Sequence, residues 1–455
     1  MQVAPEIFKA YDVRGIYPDQ LNAEIGLLLG RAFARVLADL RDKPASELRV
    51  GIGRDMRAEA PEMAGAVRDG LVAEGVTVLD AGMIATEMLY YLVGSHELDG
   101  GAMVTPSHNP KSYAGVKFVR EGALALSGDA GIGEIRELVI GGMPEPPGGG
   151  TVEAIDVYDG FHEHVLSLID PSAVKPLRVV VDGANGMAVP MVGPLLDRLG
   201  IQPIEDHWVA DGNFPDIGPN PLLEENRRAI IGRVVDQGAD LGIAWDGDAD
   251  RCFFIDETGT FVDGDFLTAM LAGRVLAKRP GAAILYDVRA SRAVPDTVRA
   301  GGGTPFRNRV GHAFFKIGMR EHDGAFGGEV SGHYYFRDFW CADSGTIPAL
   351  LVLELLSSQS RSLADLVASF RDRYFISGEI NSEVADQEAK MREIAERHPD
   401  AEIDWLDGVS VDYEDWHFNV RPSNTEPLLR LNLESLVSRE DMETRRDHVL
   451  DLIRA

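Results

Sequence analysis

The chain has 455 residues, 45% hydrophobic and 26% charged. That length suits about three domains at roughly 150 residues each, and the composition excludes a disordered or fibrous protein. Lys and Arg number 44 against 73 Asp and Glu, and the net charge of −29 repels nucleic acid and anionic membranes, excluding both as partners. The opening residues, Met1 to Lys9, carry neither a basic nor an apolar leader segment, and no apolar run reaches the ~18 residues of a membrane span, which predicts a cytoplasmic chain. Cys252 and Cys341 stand far apart in apolar segments, where two reduced thiols are expected rather than a disulfide or a thiolate metal site.

Ile25, Leu28, Leu29, Ala32, Phe33, Val36, Leu37 and Leu40 recur at helical spacing and predict an amphipathic helix over 21–40. The run Leu48-Arg-Val-Gly-Ile-Gly, a helical stretch over 59–74 and the run Val76-Thr-Val-Leu-Asp form a strand–helix–strand unit. The same order recurs at 177–182, 191–199 and 201–205, and again at 283–288, after Ser291 and at 304–307, so three copies of one α/β unit are expected. Each copy runs into a further strand that ends in a polar loop. These loops are Pro106-Ser-His-Asn-Pro, Asp246-Gly-Asp-Ala-Asp-Arg and Val330-Ser-Gly-His. Ligands collect at the carboxyl ends of strands in open α/β sheets, which would aim the three loops at a shared cleft. The turn-rich segment 144–150 is read as the end of the first domain, giving domains of 1–150, 151–257 and 258–373. The remainder, 374–455, has short strands, helical stretches over 385–397 and 438–454 and the loop Arg421-Pro-Ser-Asn-Thr-Glu-Pro, and is read as a separate α+β domain.

Asp246, Asp248 and Asp250 alternate in a loop after an apolar strand, offering three hard oxygen donors of the kind Mg²⁺ or Ca²⁺ takes. Clustered carboxylates repel one another unless a cation joins them. An EF-hand is excluded, because Arg251 holds the sixth position, where the sharp turn needs glycine, and Cys252-Phe-Phe-Ile reads as strand. A solvated acidic turn and an aspartyl-phosphate hydrolase are the alternatives, the latter weakened by Asp250 standing where Thr or Val belongs. Ser107, between Pro106 and His108-Asn109-Pro110, lies in a restrained loop that suits a nucleophile, although a lone serine in a turn is ordinarily structural. Ser107 and His108 make no triad, because neighbouring side chains are expected to diverge and no acid partner for His108 follows. The loop from Arg421 gathers a guanidinium fork, two hydroxyls and an amide, donors matched to a phosphate. Glu329, Ser331 and His333 alternate as on an extended segment, so all three could face one side and meet a sugar's hydroxyls.

Taken in chain order, Phe8-Lys-Ala-Tyr-Asp-Val-Arg-Gly, Thr105-Pro-Ser-His-Asn-Pro, Asp246-Gly-Asp-Ala-Asp-Arg, Gly328-Glu-Val-Ser-Gly-His and Arg421-Pro-Ser-Asn-Thr-Glu-Pro resemble the α-D-phosphohexomutases. The resemblance spans nearly the whole chain and is strongest to the bacterial phosphomannomutase/phosphoglucomutase branch. It implies an α/β fold of three related α/β domains, mixed sheets with helices on their faces, plus a C-terminal α+β domain around a central cleft. It implies an intramolecular phosphotransferase that interconverts hexose 1-phosphate and hexose 6-phosphate, mannose first and glucose second. The route would be a phosphoserine enzyme, with hexose 1,6-bisphosphate as intermediate and activator.

The resemblance also implies roles. Ser107 would carry the phosphoryl group and, with Asp246, Asp248 and Asp250, hold one Mg²⁺ per chain. Arg14, Lys117 and His312 would act beside it, with His333 a further candidate for the proton carrier. Arg251, Glu329, Ser331 and His333 would bind the substrate, and Arg421, Ser423, Asn424 and Thr425 its non-reacting phosphate. Two departures stand out: Tyr113-Ala-Gly replaces the commoner Tyr-Asn-Gly, and Arg289 stands where many members carry Lys. A phosphoglucosamine mutase, which usually has Gln where Val330 stands, is the alternative, followed by a Mg²⁺-dependent sugar phosphatase and a non-catalytic sugar-phosphate sensor. A small phosphosugar is the expected partner, and the oligomeric state is not legible.

Overall fold

The apolar stripe near the start becomes a helix because its ends are well specified. In the computed structural model, which describes residues 3–127, 131–423 and 428–455, the helix Ala23–Arg41 begins where the Asn22 side chain accepts a hydrogen bond from the Ile25 amide. It ends at Asp42 in a left-handed conformation, φ 51°. Ile25, Leu29, Phe33, Val36 and Leu37 join Val50, Ile52, Met63, Val67 and Val116 in one buried core, while Leu40, at the fraying end, is exposed. The next helix, Ala60–Ala73, packs very close. A Cβ on Gly30 would lie 2.0 Å from the Val67 carbonyl oxygen, and one on Gly70 2.2 Å from that of Leu27.

The first sheet runs in the order 12–16, 113–120, 100–104, 49–54, 77–83, 151–154. Arg49–Arg54 pairs in parallel with Thr77–Met83 and Gly100–Val104. Tyr113–Arg120 then runs antiparallel to both Gly100–Val104 and Asp12–Ile16. Thr151–Ala154 adds in parallel to Thr77–Met83, so the boundary expected at 150 is displaced. The open backbone groups of the edge strand take up one more strand, and the Pro- and Gly-rich segment crosses over within the first sheet instead of closing it.

The second repeat places Val179–Asp182 between Ile204–Asp206 and Leu241–Trp245, all parallel, with Cys252–Asp256 returning antiparallel. Val179–Asp182 and Leu241–Trp245 are buried throughout, as strands covered on both faces are. In the third repeat Ala283–Asp287 lies between Thr304–Asn308 and Gly324–Gly328, again parallel. The C-terminal domain is a different design: five antiparallel strands in the order 375–383, 428–435, 416–422, 409–412, 402–404, with the helices Gln387–Glu396 and Arg439–Arg454.

Two compact units result, Met1–Phe261 with Ser331–Leu363, and Val262–Val330 with Ala364–Ala455. The first unit thus includes the hairpin of Tyr334–Phe336 with Ala342–Asp343 and the helix Thr346–Ser358. Within the second unit, the third repeat is tied to the C-terminal domain by charge. Arg307 Nη1 lies 2.9 Å from Asp412 Oδ2, the Arg292 amide donates to Glu434 Oε1 at 3.1 Å, and the Tyr374 hydroxyl donates to Asp296 at 2.9 Å. Among the described residues Cys252 and Cys341 are buried and form no disulfide, and no helix is long and apolar enough to cross a membrane.

The contact of the first two helices has a measurable consequence. Alanine favours a helix over glycine by ~1 kcal/mol, yet at Gly30 the added methyl group meets backbone, and such overpacking costs about 1–3 kcal/mol or more. Gly30→Ala is expected to lower the urea midpoint of the transition that unfolds this domain, and a raised midpoint would contradict the close approach.

Candidate functional site

The strand Gly100–Val104 delivers Ser107 into a turn with left-handed backbone, φ 58°. The Ser107 amide donates to Thr105 Oγ1 at 2.9 Å, and the residue is buried. Its Oγ lies 3.1 Å from His108 Nδ1, which in turn is 4.0 Å from Asp246 Oδ2. The expectation that the two neighbouring side chains diverge is therefore wrong, because the left-handed turn swings them together. Both contacts fall on the same ring nitrogen, so His108 still cannot relay a proton as a triad histidine does. Enclosure by the loops, with the Arg251 and Arg14 cations, holds the His108 pKa well below the usual histidine range even though its side chain is 36% exposed.

The strand Leu241–Trp245 ends at the aspartate loop, where Asp246, Asp248 and Asp250 are buried with carboxylate oxygens within 4.8 Å of one another. At Gly247 this loop passes close to the serine loop: a Cβ there would sit 3.0 Å from the Ser107 carbonyl oxygen. Two cations balance three carboxylates. Lys117 Nζ lies 2.6 Å from both Asp248 Oδ2 and Asp250 Oδ2, and Arg251 Nε lies 2.7 Å from Asp246 Oδ2. Burial pushes Asp246 up to about 7 despite Arg251. Burial would raise Asp250 too, but Lys117 and His333 outweigh it and hold that carboxyl well below the usual range. Asp248 Oδ1 and Asp250 Oδ1 are buried without a hydrogen-bond partner. An all-oxygen donor set with unsatisfied lone pairs and incomplete charge balance fits a hard divalent cation such as Mg²⁺.

Arg14, half-buried, donates from Nη1 to the Pro106 carbonyl at 3.0 Å and to Asn109 Oδ1, and pairs with Asp12 at 2.7 Å. It braces the serine loop through the contacts with Pro106 and Asn109. The segment 330–332 is a turn with Gly332 at φ 90°, not an extended run. The extended segment expected to carry Glu329, Ser331 and His333 is thus interrupted, with left-handed backbone at the glycine. Ser331 Oγ lies 3.0 Å from His333 Nδ1, and His333 Nε2 is 3.6 Å from Asp250 Oδ1.

On the second unit, Glu329 is buried and accepts the Gly311 amide at 2.8 Å, just before the helix that opens at His312. Arg421 lies at the end of the strand Trp416–Pro422, directly opposite Arg430 in the ladder. Like charges so placed repel. Glu379 relieves them, 2.7 Å from Arg430 Nη1, 3.6 Å from Arg289 Nη1 and 3.9 Å from Arg421 Nη2. Burial and the Arg289 charge lower the Arg421 pKa, and its Nε is buried without a hydrogen-bond partner. Ser423 is buried 3.4 Å from Arg430 Nη2. Asn424 and Thr425 lie outside the described residues.

Four sequence models of the phosphoglucomutase/phosphomannomutase family match this chain in order: alpha/beta/alpha domain I over residues 5–140, domain II over 159–259, domain III over 263–374 and the C-terminal domain over 379–452. The chain belongs to this family. It is 43% identical over 451 residues to a protein of Xanthomonas campestris pv. campestris (strain B100) named for phosphohexose mutases, covering 98% of this chain and 99% of that one. It is 41% identical over 457 residues to a phosphomannomutase of Escherichia coli (strain K12), covering 98% of each. Among solved structures, a phosphoglucomutase/phosphomannomutase family protein from Burkholderia thailandensis matches with TM-score 0.89 at 32% identity, over 99% of this chain and 97% of that one. These place the chain in the bacterial phosphomannomutase/phosphoglucomutase branch of the α-D-phosphohexomutases, with the four-domain architecture of three α/β/α domains and a C-terminal domain.

Sequence reasoning missed several residues that contact the candidate side chains or lie close to them in the chain. Thr86, at the start of the helix Thr86–Ser95, donates from Oγ1 to Asp248 Oδ2 at 2.5 Å. The next residue, Glu87, is buried and accepts from the Thr346 amide at 3.1 Å, from Thr346 Oγ1 at 2.7 Å and from the Ser344 hydroxyl. Arg430 and Glu379 were missed as well; the only signal was the charge of two strands whose pairing the sequence does not give.

Two tests follow from these charges. Burial raises the Glu87 pKa to about 8 against the hydrogen bonds it accepts. Its native pKa thus exceeds the unfolded value of ~4.3, so its stabilising contribution is full below that value and is lost as pH rises through the native one. Glu87→Gln should flatten the fall of the unfolding temperature between about pH 5 and 8, and identical slopes in both proteins would contradict the burial. Removing one partner of a buried charge pair costs about 3–5 kcal/mol. Lys117→Met should therefore lower the unfolding temperature, and added Mg²⁺ should raise it more in the variant than in the parent; an equal Mg²⁺ response would count against the aspartate site.

Proposed function

We propose that this protein is a phosphohexomutase that interconverts hexose 1-phosphate and hexose 6-phosphate, mannose phosphates first and glucose phosphates second, through phospho-Ser107 and a hexose 1,6-bisphosphate. The observation that carries the reading is the buried Ser107 hydroxyl held beside His108, whose ring nitrogen also faces Asp246 of the three-aspartate loop. The family membership and the relatives named as phosphomannomutases support the reaction class. Ser107, Asp246, Asp248 and Asp250 would hold Mg²⁺, which when bound supplies positive charge to a transferring phosphoryl group.

In the first half-reaction the bond between phosphorus and Ser107 Oγ breaks as the free sugar hydroxyl bonds to phosphorus. That hydroxyl's proton leaves to a histidine, His312 or His333, because Lys117 and Arg14 are held as full cations by Asp248, Asp250 and Asp12 and can only stabilise charge. In the second half, Ser107 Oγ takes the other phosphoryl group from the bisphosphate, and the sugar oxygen left behind is reprotonated. Such chemistry asks of the protein chiefly positioning and charge stabilisation. Arg421 and Ser423 bind the phosphate that is not reacting, and Arg289 and Arg430 share its charge. Arg251, Glu329, Ser331 and His333 contact the sugar.

Mannose 1-phosphate, glucose 1-phosphate and glucosamine 1-phosphate, each assayed with Mg²⁺ and a trace of bisphosphate, test the reading. Isomerisation of the first two, without net phosphate release, is expected. Ser107→Ala should lose at least ~10³-fold in kcat, as loss of a nucleophile does, and the phosphate should map to Ser107 in the parent. Preference for glucosamine 1-phosphate, or release of inorganic phosphate as the main product, would overturn it.

A further inference from the structure

Arg57, which no sequence motif marked, is 1% exposed and lies under the serine loop. Its guanidinium gives three hydrogen bonds to that loop's backbone: Nη2 to the Ser107 carbonyl at 3.0 Å and to the Asn109 carbonyl at 2.5 Å, and Nη1 to the Pro110 carbonyl at 2.9 Å. Asp55 holds the residue from behind, accepting the Arg57 amide at 3.0 Å and pairing with Nε at 3.5 Å. The Phe214 ring covers the guanidinium at 4.8 Å. Backbone in the left-handed region, as at Ser107, persists only where its surroundings over-determine it. One rigid planar fork that fixes three carbonyls at and after that residue is such a determinant, and a lysine, with a single point charge, cannot replace it.

We infer that Arg57 is a positioning residue for phosphoryl transfer: it locks the Ser107 turn so that the hydroxyl keeps its place beside the aspartates when a charged phosphoryl group is on it. The inference rests on the reading of Ser107 as the phosphoryl carrier. Among the described residues Arg57 bonds to backbone carbonyls and Asp55, and at 1% exposure it offers a substrate almost no surface, so its loss should alter the rate of transfer rather than binding.

The test uses the full chain with Mg²⁺ and follows steady-state kinetics and the rate at which hexose 1,6-bisphosphate phosphorylates Ser107. Arg57→Lys and Arg57→Ala are expected to lower kcat on the order of 10²-fold, the penalty of a misplacement near 1 Å, with KM within about twofold of the parent and Ser107 labelling slowed by the same factor as kcat. A folded Arg57→Lys protein with parental kcat and parental labelling would overturn the inference, as would a rise in KM that accounts for the whole loss. If neither variant folds, Phe214→Leu, which uncovers the guanidinium, carries the same test: lower kcat at unchanged KM supports the inference, and unchanged kcat overturns it. A parent that never takes phosphate at Ser107 would remove the proposed function and this inference together, whereas a parent that does, beside an equally fast variant, removes the inference alone.

Discussion

Three carboxylates buried within 4.8 Å of one another are the constraint around which the first unit is organised. Ionised groups so close raise each other's pKa, and burial adds to the effect. The chain answers with one ammonium shared by Asp248 and Asp250 and one guanidinium on Asp246. Each cation comes from a different place: Lys117 from the antiparallel strand of the first sheet, Arg251 from the far end of the aspartate loop itself. The first two α/β domains are thus joined at their most expensive electrostatic point. The serine loop passes close to the same place, where a Cβ on residue 247 would sit 3.0 Å from the Ser107 carbonyl oxygen.

The repeats were legible because the same order of apolar strand, helical stretch and apolar strand recurs three times. The chemistry-bearing residues were legible because they cluster within short loops. Ser107, the three aspartates and Arg421 all announce themselves within six or seven residues of sequence. What escaped was non-local or conformational. Thr86 meets Asp248 across 162 positions, and Arg57 binds a loop about 50 positions away, so neither carries a local signature. The left-handed backbone at Ser107 and Gly332 also escaped. It brought His108 toward Ser107, where divergence was expected, and turned the 330–332 segment, where an extended run was expected. Alternation rules presume an ordinary strand, and both departures fall in loops next to site residues.

The edge of a sheet also misled. Proline and glycine at 144–150 read as a domain end, but a linker and a crossover share that composition, and only the unpaired edge of Thr77–Met83 decides between them.

The carboxylate of Glu379 has a consequence for how firmly the C-terminal domain can grip an anion. Arg289, Arg421 and Arg430 already share this side chain, so a phosphate bound there, as proposed, would gain only the difference between its own attraction and that of a resident competitor. An unopposed trio of guanidinium groups would make a trap from which a doubly charged ligand escapes slowly. A built-in counter-ion would temper the well, and under the proposed bisphosphate route a sugar that must let go with one end and return with the other would benefit from a shallow one.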